Sequence, residues 1–221
     1  MDLNEFLSQW QKDYSDRCAV MPLFDPDKTA KLSLDQRALF ARVFYHARGH
    51  FHTFLWHLGS KVTDEAAKDV VLANIREEFG GSGQSHESLY ATFAEFCGVN
   101  SDDELLHPTA NFDYIQRFND GHLRYIVRQD EDSAWSAFAA YERLDNVDYA
   151  NLYRLAKSFS LIDRATKFFS VHCVVEHFQA ASPILLRIWN RNPGAVMNGF
   201  RFIADHQIEL WMNLGQTVFG E

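Results

Sequence analysis

Glu78, His86, Glu142, His172 and Glu176 stand out because each falls where the surrounding pattern calls for an apolar side chain. At about 100° per residue, Glu78 lies among Ala67, Val71 and Ile75, while its neighbour Glu77 falls on the flank. His86 aligns with Leu89, Tyr90, Phe93 and Cys97, and Glu142 shares a face with Trp135, Phe138 and Ala139. His172 and Glu176 sit one turn apart beside Leu161, Ala165 and Phe168, with Gln179 a turn further on. Buried acids are costly unless they are paired or bound to a cation. Carboxylates and imidazoles facing inward from separate helices would meet that requirement around one or two divalent ions. Such nitrogen and oxygen donors suit iron or manganese rather than a thiolate zinc site. Taken singly, each residue reads as an internal hydrogen-bond partner; the metal reading rests on the set.

Other ionisable residues offer weaker patterns. His46, His50 and His57 share a face with Leu39, Val43 and Thr53, and His46 and His50 have the i,i+4 spacing of a metal pair. The same face reads more simply as the polar-tipped wall of a pocket, with His50 able to move protons near neutrality. His52 points elsewhere, towards the surface. His177 lies about 140° from His172 on a continuous helix, which keeps it out of the cluster. Glu104 and His107 make one Glu-x-x-His, in an expected loop before Pro108, whereas a ferritin-like centre needs two on helices. Asp205 and Glu209 lie opposite Phe200, Ile203, Trp211 and Leu214 and read as a solvated face.

Helices position all of these groups. Leu3, Phe6, Leu7, Trp10 and Tyr14 mark an N-terminal amphipathic helix. A capping box at Ser33 opens a long helix towards Leu58, stopped by Gly59. Thr63-Asp64-Glu65 caps a helix running to Phe79, and Ser85 caps one ending at Cys97-Gly98. Between them Gly80-Gly81-Ser82-Gly83 reads as an elbow that lets Glu78 and His86 meet; it lacks the spacing of a nucleotide loop. Pro108 opens a helix to about Arg128, bent near Gly121. Asp132 starts a helix broken near Asp145–Asp148 and resumed to Phe159. The next covers about Ile162–Ala181, ending before Pro183, and the last runs from about Ala195 to Val218. The expectation is a single domain over residues 1–221, an all-α bundle of seven to eight helices.

Composition agrees. The 221 residues carry 21 Lys+Arg against 30 Asp+Glu, a net charge of −9, which argues against a nucleic-acid or anionic membrane partner. Hydrophobic residues make up 47%, too many for a disordered chain. The acidic start has no signal-peptide pattern, and the three scattered cysteines suit reduced thiols, so a cytoplasmic location is expected.

Three segments also carry a family resemblance. Asn74–Gly80 followed by His86-Glu87-Ser88-Leu89, then Ala140-Tyr141-Glu142 running into Asp145–Tyr149, then Phe168–His172 with Glu176, resemble the motif blocks of heme-oxygenase-like proteins. That superfamily includes thiaminase II, pyrroloquinoline-quinone synthase and a branch of non-heme dimetal oxidases. The resemblance covers the chain from about residue 40 onwards. It implies a heme-oxygenase-like bundle, a homodimer, and an O₂-dependent oxidase or oxygenase acting on a small organic substrate. It also implies Glu78, His86, Glu142, His172 and Glu176 as ligands to Fe (one or two ions) or Mn, with Glu142 bridging and no heme. In the oxidase branch a His stands where this chain has Gln179, a poor ligand, which makes one ion realistic. Tyr141 matches a tyrosine beside the bridging Glu. Neither Cys97 nor Cys173 matches the thiaminase nucleophile. The alternative reading is a metal-free binding protein that keeps the fold and holds a small molecule in a polar pocket.

Overall fold

In a computed structural model that describes residues 1–81, 83–174 and 177–220, the chain is all α-helical, with no strand among those residues. The helices are α1 (Leu3–Ala19), α2 (Pro26–Thr29), α3 (Leu34–Gly49), α4 (Phe51–Lys61), α5 (Glu65–Glu78) and α6 (His86–Phe96). They continue with α7 (Ser101–Leu106), α8 (Asp113–Arg128), α9 (Glu131–Ser158), α10 (Lys167–His172), α11 (His177–Arg191) and α12 (Pro193–Phe219). The expected caps form: Ser33 and Gln36 make the capping box of α3, Asp64 caps α5 and Ser85 caps α6.

Helix α9 is the axis of the bundle and packs along α12, α11 and α10. Its small residues Ser133, Ala134, Ser136, Ala137, Ala139 and Ala140 are buried, and at Ser136 and Ala137 α12 approaches closely. The closest point is Gly199, where an added Cβ would lie 2.8 Å from the Ala137 amide nitrogen. A buried hydrogen-bond chain ties α1, α9 and α12: the Trp211 indole N–H donates to the Tyr14 hydroxyl at 2.9 Å, and Tyr14 donates to Asp148 Oδ1 at 2.7 Å. No helix of the described residues is long and apolar enough to cross a membrane.

More helical segments appear than the seven to eight expected, and the differences have local causes. The long helix from Ser33 divides after Gly49, where the His50 ring donates from Nδ1 to the Ala47 carbonyl and so satisfies a carbonyl at the end of α3. Segment α7 replaces the expected loop; Asn100 caps it, and its Glu104 accepts hydrogen bonds from the Thr109 and Ala110 amides. Helix α9 runs unbroken through Asp145–Asp148, because tertiary partners such as Tyr14 override the poor helix propensity of aspartate. The stretch expected at Ile162–Ala181 is instead α10 and α11, and Pro183 lies inside α11. The Gln179 carbonyl, to which Pro183 cannot donate, accepts from the Ser182 hydroxyl at 3.0 Å.

Gly199→Ala tests the α9–α12 contact. Helix propensity alone would make it stabilising by about 1 kcal/mol. The close approach predicts destabilisation by about 1–3 kcal/mol in urea unfolding; a stabilised variant would contradict it.

Candidate metal centre

Glu78 closes α5 and His86 opens α6, so a short turn must fold back to join them. Gly80 makes that turn with φ +78°, a conformation that disfavours other residues, and a Cβ there would lie 2.5 Å from the Ser85 amide nitrogen. The result is a buried contact of 2.8 Å between His86 Nδ1 and Glu78 Oε1. His172, the last residue of α10, completes the group. Glu78, His86 and His172 are all buried and each offers a ligand atom within 4.8 Å of the others.

The protonation states suit a cation. Burial would raise the Glu78 carboxyl. Hydrogen bonds from His52 (3.3 Å) and His86, with the Arg48 guanidinium 4.0 Å away, instead hold it well below the usual carboxylate range. It is therefore ionised. Burial, reinforced by the neighbouring His86, lowers the His172 imidazole to about 3, so it is neutral at physiological pH. His172 Nδ1 lies 2.7 Å from the Phe168 carbonyl, which can only accept. The proton must sit on Nδ1, leaving the Nε2 lone pair for a metal, as ligating histidines usually arrange it. The Tyr149 ring stacks on His172 at 3.9 Å between centroids and 13° between planes, which fixes the imidazole plane.

Arg48 and His52 were not expected here. Arg48 is buried, pairs with Glu87 at 2.7 Å, and lies over the Tyr90 and Phe168 rings. His52 is half-buried on Glu78 rather than on the surface. The break at His50 sets α4 in a new phase, so a wheel drawn through α3 misplaces His52.

The other expected site residues divide as follows. Glu142 is buried in the middle of α9, outside the three-residue group. Asp145, one turn on, lines a small hollow with Glu78, His172, Tyr141 and Tyr149. Tyr141 stacks on Phe51 at 4.9 Å, and burial, with Asp145 close behind, raises its phenol well above the ordinary value, so it stays protonated. Glu176 lies outside the described residues. Gln179 is exposed on α11, because the interruption after α10 ends the phase that placed it inward.

His46 and His50 do not form a pair. His46 Nε2 lies 2.9 Å from Glu104 Oε1, whereas His50 Nε2 faces His122 Nδ1 at 3.1 Å. His57 turns back to the Thr53 carbonyl. Asp205 and Glu209 are exposed, as expected. His122 is fully buried against His50 and His206, a cluster that the sequence reading missed because its members come from α8, α12 and the junction of α3 and α4, whose phases are unrelated.

The model of the Haem_oxygenas_2 family, described as iron-containing redox enzymes, matches residues 38–202, and the chain belongs to that family. None of the curated proteins matches the sequence. Among solved structures, a CADD-like protein of unknown function from Nostoc punctiforme is similar with a TM-score of 0.72 and 17% identity, over 98% of this chain and 97% of that one. A domain of unknown function with a heme oxygenase-like fold from Shewanella denitrificans is similar with a TM-score of 0.76 and 12% identity, over 97% and 92% of the two chains. These likenesses show the heme oxygenase-like fold.

The buried histidines make the metal-free protein sensitive to acid. His172 is lowered to about 3, His50 to about 4 and His122 well below 6.5, each chiefly by burial. Between those values and about 6.5 the unfolded chain binds more protons, so stability falls as pH falls. Asp148 works the other way: burial pushes it up to about 7 from 3.8, so its folded form binds the extra proton. Burial lowers His206 as well, so four histidines against one aspartate leave a net loss, about 1.4 kcal/mol per pH unit for each uncompensated, fully buried histidine. The urea midpoint should therefore drop between about pH 6.5 and 5, and His122→Leu should flatten that slope. A midpoint that rises over this range would contradict the assignment.

Proposed function

We propose that this chain is a non-heme, O₂-dependent oxidase or oxygenase acting on a small organic substrate, with iron, or alternatively manganese, held by Glu78, His86 and His172. One observation carries the reading: an ionised carboxylate and two imidazoles converge in a buried hollow within ligand reach of one another. Two histidines and one carboxylate are the donor set of many non-heme ferrous oxygenases. When bound, the metal supplies the redox chemistry towards dioxygen. The described donors suffice for one ion. Glu142 and Glu176 are proposed as further ligands, following the resemblance, with Glu142 placed to bridge if a second ion is held.

The remaining residues have definable work. The Phe168–His172 hydrogen bond and the Tyr149 stack orient one ligand, and His52 and Arg48 keep Glu78 ionised. Phe51, Tyr149 and Phe168 line the hollow and limit access of bulk water, which protects reactive species and strengthens electrostatic interactions. Tyr141 is protonated at neutral pH and holds a proton at its hydroxyl beside the hollow. A cytoplasmic location and a homodimer belong to the same proposal and rest on the sequence.

A second reading has its own observation. Gln179, where the oxidase branch has a histidine, is exposed, in keeping with a chain that retains the fold as a metal-free binding protein. Anaerobic Fe(II) titration separates the two. The oxidase reading predicts saturable loading and an absorbance change when oxygen is admitted. Glu78→Gln, His172→Ala and Glu142→Ala should each weaken loading by about tenfold or more while leaving helix content intact. Loading unchanged in all three variants would reject the site, and absent loading in the parent chain would favour the binding protein.

A further inference from the structure

A chamber of about 220 Å³ lies between α8 and α12, and none of the described residues around it lines the metal hollow. Exposed Arg117 and Glu209 line it, so it is open to solvent, while buried Phe118 and Leu210 give it apolar surface. Its wall is a built one at His206. The Phe202 ring lies 4.2 Å from the His206 ring between centroids, and a Cβ on Gly121 would lie 2.6 Å from His206 Cε1. Helix α8 thus leaves out a side chain where the imidazole of α12 is seated.

The charges around the chamber are sorted by helix. Burial lowers the His206 imidazole, which is therefore neutral at physiological pH. Among the described lining residues that leaves Arg117 from α8 as the one cation and Glu209 from α12 as the one anion. Neither forms an ion pair, with the other or with any other described residue, although α8 packs against α12. Asn213, one turn beyond Glu209, donates from Nδ2 to the Glu209 carbonyl at 2.7 Å. A carbonyl can only accept, so the amide is oriented and Oδ1 remains as a second acceptor on the α12 side.

One wall therefore offers a cationic donor and the other an anionic acceptor, with apolar surface beside both. A ligand of single charge gains at one wall and is repelled at the other, whereas a zwitterion gains at both. The chamber is smaller than the about 300–1,000 Å³ of drug-sized pockets, which limits the occupant to the size of an amino acid.

We propose that this chamber binds a free α-amino acid with an apolar side chain, its carboxylate on Arg117 and its ammonium on Glu209 and Asn213. The site is separate from the metal centre and does not rest on the oxidase reading above.

The test is an NMR titration of the metal-free full chain with L-phenylalanine. Two probes share its phenyl group: 3-phenylpropionate lacks the ammonium, and phenethylammonium lacks the carboxylate. Saturable shifts at the Asn213 side-chain amide are expected, with L-phenylalanine about three- to tenfold tighter than either probe. High salt should narrow that advantage. Arg117→Gln should erase the advantage over phenethylammonium, and Glu209→Gln the advantage over 3-phenylpropionate. Both positions are exposed, so both variants should keep the parent's helix content; should one fail to fold, the other and the three-ligand comparison in the parent chain decide. A probe that binds as tightly as L-phenylalanine, no saturable binding of L-phenylalanine, or parent-like preference in either folded variant would overturn the site. Iron loading without L-phenylalanine binding removes this site and leaves the oxidase reading. L-phenylalanine binding without iron loading supports this site and removes the oxidase reading.

Discussion

A carboxylate taken out of water must be met by donors or positive charge, and the arrangement around Glu78 follows from that requirement. Its two oxygens face His86 on one side and His52 on the other, with Arg48 behind. Each partner comes from a different helix, so ionising this one group requires α3, α4, α5 and α6 to be correctly docked. The candidate metal centre is thus inseparable from the packing. The Gly80 turn, the cap at Ser85 and the seat of Arg48 over Tyr90 and Phe168 all serve the same local charge balance.

The histidines obey a complementary rule. A ligand imidazole must be neutral with the right nitrogen bare, and at His172 burial enforces the first condition while the Phe168 carbonyl enforces the second. His50 and His122 are likewise kept neutral by burial, although they lie apart from the triad. Dry surroundings therefore produce both the neutral imidazoles and the acid sensitivity. Asp148 reaches a different balance: Tyr14 donates to one of its oxygens, and burial pushes its carboxyl up to about 7.

Much of this was legible in the chain because the signals were short-range. Glu78 and His86 are joined by a glycine turn between two recognisable caps, so periodicity within α5 and within α6 sufficed to turn both inward. Glu142 was legible as buried for the same reason, since its apolar neighbours Trp135, Phe138 and Ala139 are all within two turns of α9. Two of the errors share one origin. Wherever a helix stops and restarts, the phase resets: after Gly49 this brings His52 to Glu78, and after His172 it leaves Gln179 in solvent. Two other expectations failed for different reasons: at Asp148 the tertiary partner Tyr14 overrode helix propensity, and at Pro183 the neighbouring Ser182 hydroxyl satisfied the carbonyl that proline leaves open. The His50–His122–His206 cluster carries no sequence signal at all, because contact between three distant segments has no period.

The central claim is that Glu78, His86 and His172 hold one metal ion between them. Anomalous diffraction at the iron edge, from crystals grown anaerobically with Fe(II), tests it most directly. The account predicts a peak at bonding distance from a Glu78 oxygen and from one nitrogen each of His86 and His172, with His172 still donating from Nδ1 to Phe168. A peak placed elsewhere, or an iron-free map from crystals in which the triad keeps its 2.8 Å Glu78–His86 hydrogen bond, would contradict it.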